Sequence, residues 1–340
     1  MKWRRLGRIF DPESLPLIEG QCGYAQSPQA LVCDGFVRIY FSTRVRDRHD
    51  MFVSHVAYVD FDPGLSRIVD HSRGPVIHLG PLGSFDEHGI FPMNVLRVGD
   101  EIHAFTTGWS RRRSVAVDAA IGWARSHDGG RSFEKFGAGP ILAASLEQPF
   151  LVGDAFVAHF DDRFHMWYIH GTKWIQASPG DQPERVYKIA HASSVDCIDW
   201  ARSGQALVTD RLGPDECQAL PTVVRLGDRY HMWFCYRHAT DFRTNPARGY
   251  RIGHASSADI VSWQRDDDEG GLGASPAGWD SEMLCYPHAF HHAGRLYLLY
   301  NGNEFGRFGF GLAVLEEGSN QESALAPRQA AALAKNGEEK

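Results

Sequence analysis

Short apolar stretches broken by Gly, Asp and Pro run through most of the chain, and no long amphipathic helix pattern occurs before Glu317. The segment from Pro221 to Phe234 shows the unit. An apolar stretch meets a Gly-Asp turn, and a strand alternating aromatic and apolar residues follows. Degraded copies run from Pro28 to Phe41, Pro92 to Phe105, Ala155 to Tyr168 and Pro287 to Tyr300. The second strand of each copy opens at Val37, Ile102, Phe164, Tyr230 or Leu296, at spacings of 65, 62, 66 and 66 residues.

A second element follows each copy. Tyr187 to Trp200 matches Tyr250 to Trp263, and Ala120 to Phe133 is a third version. Each reads as a strand, a turn in which Asp bonds its own backbone, and a strand opening with a buried aromatic. One unit therefore supplies four antiparallel strands. The predicted fold is all-β, a five-bladed β-propeller with four strands per blade, occupying residues 1–317 as a single domain. Trp3 to Phe10 helps close the ring, and residues 318–340, rich in Ala, Gln, Glu and Lys, form a flexible tail.

Composition narrows the function. Hydrophobic residues at 43% and charged residues at 23% exclude disorder, collagen and coiled coil as global descriptions. Thirty-five basic residues, scattered among 42 acidic ones, give a net charge of −7 and argue against a nucleic-acid or anionic-membrane footprint. The basic start, Met1 to Arg8, leads into no apolar signal core, and no apolar run is long enough for a membrane span. Six cysteines without a CxxC read as reduced thiols, so a soluble cytoplasmic protein is expected. Aromatic content of 12% together with many glycines suits an all-β protein with a sugar-stacking site. Trp109, Trp174 and Tyr236 are candidate platforms, whereas Trp167, Trp200, Trp233 and Trp263 recur at blade positions and belong to the core.

In a propeller the innermost strands converge on a central channel, so polar residues at their starts are the candidates for chemistry. Glu87, Glu216 and Glu282 each lie five residues before a blade's proline, and Asp154 immediately precedes the third repeat. Carboxylates converging on one mouth push one another's pKa values apart, the condition for separate acid and base roles in glycoside cleavage. Arg44, Arg46, Arg237 and Arg243 follow second strands near the same mouth, where a guanidinium fork suits a carboxylate sugar or a phosphate. His288 follows its blade's proline beside Gln29, Asn94 and Thr222 of other blades and is counted among the substrate contacts. Strand alternation puts Cys285 and His288 on opposite faces, which argues against zinc on Cys285, His288 and His291. Gly306 to Gly311 lacks the strand-then-helix setting of a phosphate loop.

The Ala-x-Ser-x-Asp-x-x-x-Trp hairpins, the run Phe85-Asp-x-x-Gly-x-Phe-Pro92 and the aromatic second strands resemble the five-bladed propeller glycosidase superfamily. That group includes arabinanases, β-xylosidases, invertases and mannoside phosphorylases, and the resemblance covers nearly all of residues 1–316. It implies a general base on blade 1, an orienting Asp on blade 3 at Asp154, and a general acid on blade 4 at Glu216. Ser27 stands where the base is expected, so either Asp86 or Glu87 takes that role or the mechanism is another one; Glu282 is expected to contact substrate hydroxyls. Ser126 to Phe133 resembles the sialidase Asp-box, a turn remote from the chemistry. Some arabinanase-like members place a His near a channel ion, so the resemblance suggests a structural calcium or a water cluster near His288, and no cofactor otherwise. The expected function is cleavage or transfer of a glycosidic bond in an oligosaccharide, with imported sugars or surface-polysaccharide synthesis as the setting. The alternatives are a non-catalytic sugar-binding propeller and a phosphate-dependent phosphorylase.

Overall fold

A computed structural model describes residues 1–316; the tail expected at 318–340 lies outside the described residues. The strands are β1 (Trp3–Phe10), β2 (Gln26–Cys33), β3 (Phe36–Arg46), β4 (Phe52–Phe61), β5 (Ile68–His71), β6 (Gly89–Val98), β7 (Glu101–Arg111), β8 (Val117–Ser126), β9 (Glu134–Lys135) and β10 (Val152–Phe160). They continue as β11 (Arg163–Ile175), β12 (Glu184–Ser194), β13 (Ala201–Arg202), β14 (Cys217–Leu226), β15 (Arg229–Arg237), β16 (Arg251–Ser257), β17 (Gln264–Arg265), β18 (Cys285–His292), β19 (Arg295–Asn301) and β20 (Phe310–Leu315). Every second strand begins one residue before the marker read from the repeat.

These strands form four hydrogen-bonded sheets rather than five. Strands β10 to β13 and β14 to β17 make one meander each. Strands β2 to β9 make one eight-stranded sheet, in which two meanders are joined by a single parallel bridge between Ser54 and Gly89. The last sheet is β18, β19 and β20 with β1 added antiparallel to β20, so both ends of the described chain meet in it.

The first strands stand around one axis. β2 lies against β6, β6 against β10, β10 against β14 and β14 against β18, and β18 returns to β2. Polar side chains clamp each strand to the next. Asn94 donates to Gln29 at 3.1 Å and accepts from the Val157 N–H at 2.9 Å, and Thr222 accepts from the Ala289 N–H at 3.1 Å. Asn301 closes the circuit by accepting from the Ser27 N–H at 2.8 Å and donating to the Ala25 carbonyl at 2.7 Å.

The core lies between sheets. Tyr40, Phe105, Trp167, Trp233 and Leu299, each three residues after its marker, are fully buried. Trp200 and Trp263 are only partly buried, and each indole N–H bonds a carbonyl of its own turn, at 3.1 and 2.7 Å. No described helix is long and apolar enough to cross a membrane.

Candidate active site at the strand-bulge ring

Each first strand loses register for two residues near its start. The skipped pairs are Ser27-Pro28, Phe91-Pro92, Asp154-Ala155, Leu220-Pro221 and Tyr286-Pro287. Ser27, Asp154, Leu220 and Tyr286 have φ of 53, 53, 46 and 58°, and Phe91 precedes a cis proline. L-residues held at positive φ cost on the order of 1–3 kcal/mol each and cluster where a fold re-aims side chains for function. The bulge residues form a ring. The Phe91 and Tyr286 rings meet edge to face at 5.3 Å, and the Leu220 N–H reaches Asp154 Oδ2 at 3.4 Å.

Asp154 is the one carboxylate among these bulge residues. Its own N–H donates to Thr107 Oγ1 at 2.7 Å, and Gly153 has no room for a Cβ, which would lie 2.7 Å from Thr107 Cγ2. Burial pushes its carboxyl up to about 7, against the smaller opposing pull of the Leu220 N–H and the Arg185 guanidinium. A carboxyl tuned there exchanges a proton near neutral pH, as an acid or base catalyst must.

The other expected catalytic carboxylates do not join it. Glu216 is fully buried; its oxygens accept from Arg211 N, Leu212 N, Gln218 Nε2 and Arg265 Nη1 at 2.8, 2.9, 3.0 and 2.6 Å. Every one of these partners is a donor, so the side chain is fastened to its own loop and to Arg265. Asp86 is buried too, and bonds Ser84 and Lys135. Both belong to a repeated latch. The loop leading into a first strand places an acid or amide on a basic residue of the same sheet's outermost strand. The pairs are Asp86 with Lys135, Gln148 with Arg202, Glu216 with Arg265, and Asp280 with Arg5. Glu87 is taken up within its own loop, accepting from the Gly83 N–H at 2.7 Å and facing His88 at 3.3 Å.

The expected substrate contacts divide similarly. Arg237 is sealed, with its guanidinium 3.5 Å over Phe242 and its donors on His238 O, Ala239 O and Tyr187 Oη. Its side chain is fully buried in this arrangement. Tyr236 lies under Arg265 at 4.2 Å and belongs to the latch. Arg46 and Arg243 are paired with Asp50 and Glu184. Trp109 is partly exposed and stacks on His88 at 6.0 Å, and Trp174 is partly buried against the core. Glu282 is exposed, and its backbone N–H bonds Asn303 Oδ1 at 2.8 Å. Arg44 stands beside Gln26, next to ring residue Ser27.

His288 follows the bulge of β18, buried between Phe290 and Phe156, and neither ring nitrogen has a hydrogen-bond partner among the described residues. Burial pushes its imidazole down to about 3. Its level offers Gln29, Asn94 and Thr222 oxygens that already serve the strand clamps, and no carboxylate. Calcium needs six to eight oxygens, so the expected ion does not fit these residues. Among the described residues no group of three or more His, Cys, Asp or Glu gathers for a metal.

The uncharacterized protein Rv1502 of Mycobacterium tuberculosis (strain ATCC 25618 / H37Rv) is 33% identical over 322 residues, covering 93% of this chain and 100% of the relative. The chain belongs to the same protein family. Its counterpart in strain CDC 1551 / Oshkosh, the uncharacterized protein MT1551, matches to the same extent. No protein-family model matches the chain. A solved structure described as a glycoside hydrolase superposes with a TM-score of 0.71 at 14% identity, over 96% of this chain and 95% of its own. The β-1,2-mannobiose phosphorylase from Listeria innocua, in complex with β-1,2-mannobiose, gives a TM-score of 0.64 at 13% identity, over 93% and 97%. At these identities the likeness is one of fold, which this chain shares with a glycoside hydrolase and a mannobiose phosphorylase.

Proposed function

We propose that the protein is a carbohydrate-active enzyme on a five-bladed propeller, the eight-stranded sheet counting as two blades, and that it cleaves or transfers a glycosidic bond at the bulge ring. The observation carrying this reading is Asp154, a lone carboxyl in a ring of Ser27, Phe91, Leu220 and Tyr286 and tuned to about 7. Protonated Asp154 delivers its proton to the departing glycosidic oxygen, and the Phe91 and Tyr286 rings offer an apolar wall to a sugar face. Ser27 supplies no carboxylate to activate water. The attacking group therefore works without a carboxylate base, as phosphate does in a phosphorolytic reaction.

Ser27 also favours a second reading, in which the ring binds a saccharide and turns nothing over. Product release from a panel of aryl glycosides and oligosaccharides, each with and without phosphate, tests both. Turnover lost in Asp154→Asn supports the enzyme, and a phosphate requirement selects phosphorolysis. Saccharide binding that needs Asp154, without turnover of any compound that binds, supports the binder.

A further inference from the structure

Arginines around the ring differ in how they are held. On the hairpins that rise beside it, Arg111 is paired with Asp47, Arg112 with Asp118, Arg243 with Glu184, Arg248 with Asp241 and Arg307 with Glu304. Arg44 is not. Its Nε donates to Gln26 Oε1 at 2.9 Å, and Gln26 in turn donates to the Phe305 carbonyl at 2.7 Å. The guanidinium carbon lies over the Tyr24 ring at 4.2 Å, with Phe52 at 5.3 Å. The side chain is thus fixed through Nε and one face, while neither Nη has a partner among the described residues. A guanidinium held in this way presents two parallel donors, the geometry that grips a carboxylate or phosphate in bidentate fashion.

Its place matters as much as its freedom. Gln26, which Arg44 bonds, immediately precedes ring residue Ser27. Asp154, on β10, stands two strands round the ring from Ser27 and meets Leu220 of the next strand. A sugar lying over the ring, with its scissile oxygen at Asp154, brings a substituent toward Arg44. The chain carries a net charge of −7, so an unpaired guanidinium here runs against its overall balance.

We infer that the substrate is an acidic saccharide whose carboxylate or phosphate group is held by the Arg44 fork. This rests on the reading above that the ring takes a saccharide. The test is ligand-induced thermal stabilisation of the full chain by glucuronate, galacturonate, glucose 1-phosphate and mannose 1-phosphate. Each is set against its neutral sugar and against inorganic phosphate, in wild type, Arg44→Gln and Arg44→Lys.

The expected result is at least one acidic sugar binding about tenfold or more tighter than its neutral parent. Arg44→Gln abolishes that difference, and Arg44→Lys, which keeps the charge but loses the fork, restores part of it. The melting temperatures of the free variants report whether each is folded. Equal binding of acidic and neutral sugars overturns the inference while leaving the saccharide reading intact, as does a difference that survives in Arg44→Gln. Inorganic phosphate binding as well as the sugar phosphates assigns the fork to free phosphate and also overturns it. A ring that binds no sugar, acidic or neutral, overturns both readings.

Discussion

Arg265 Nη1 bonds Glu216 Oε1 at 2.6 Å, with both side chains shut away from solvent at 6 and 0% exposure. This pair fastens the loop before β14 to the outermost strand β17 of the same sheet. Removing the charge of Glu216 leaves Arg265 with Asp267 as its charged partner. Glu216→Gln is expected to lower stability by about 3 kcal/mol, read as a lower midpoint in urea unfolding. A stability within about 0.5 kcal/mol of wild type would show that the latch carries nothing.

Two histidine pairs make the fold acid-sensitive. His165 meets His191 at 3.0 Å and His231 meets His254 at 3.1 Å, at equivalent places in two meanders. Burial pushes His191 and His254 from 6.5 down to about 4. Between those values the unfolded chain binds more protons, so stability is present above pH 6.5 and is lost as pH falls toward 4. Each is expected to withdraw on the order of 2 kcal/mol by pH 4. Melting of the His191→Gln, His254→Gln double variant should depend less on pH over that window; an unchanged slope contradicts the assignment.

Asp154 works in the opposite direction. Its folded value of about 7 lies above the ordinary 3.8, so the stability tied to its proton is full below pH 3.8 and is lost as pH rises through 7. Asp154→Asn cannot lose that proton. The variant is expected to gain on wild type between pH 5 and 8, by on the order of 3 kcal/mol. Parallel stability curves would mean that Asp154 is ionised at both ends.

The turn at Asp128 is structural. Its carboxylate accepts from Ser126 Oγ, Arg131 N, Ser132 N and Ser132 Oγ at 2.7, 2.9, 3.0 and 2.6 Å. Burial pushes it up, but these bonds win and hold it at about 2. Asp128→Ala should cost about 1–2 kcal/mol in unfolding and leave turnover per folded molecule unchanged. A loss of turnover without a loss of stability would tie this turn to the site.

The fold was legible because its period is carried by residues that packing cannot spare. Val37, Ile102, Phe164, Tyr230 and Leu296 each stand second in a strand, and the residue three places on is fully buried every time. Asp154 was legible for the same reason, being fixed to the repeat by the alanine after it. The latch was not, because counting back from proline crosses loops of unequal length. That count groups Glu87, Glu216 and Glu282, whereas the structure groups Asp86, Gln148, Glu216 and Asp280. Their basic partners carry a signal that would have found them. Trp3-x-Arg5, Phe133-x-Lys135, Trp200-x-Arg202 and Trp263-x-Arg265 share one aromatic-x-basic pattern. Burial of Arg237 had no such mark, since it depends on the loop bringing Phe242 back over the guanidinium.

The central claim is that Asp154, and not Glu216, handles the proton. The most direct test is turnover per folded molecule on any saccharide the protein accepts, with Asp154→Asn and Glu216→Gln beside wild type. The account predicts a loss of about a hundredfold or more in Asp154→Asn and near-normal turnover in folded Glu216→Gln. Full activity in Asp154→Asn, or a collapse confined to folded Glu216→Gln, would contradict it.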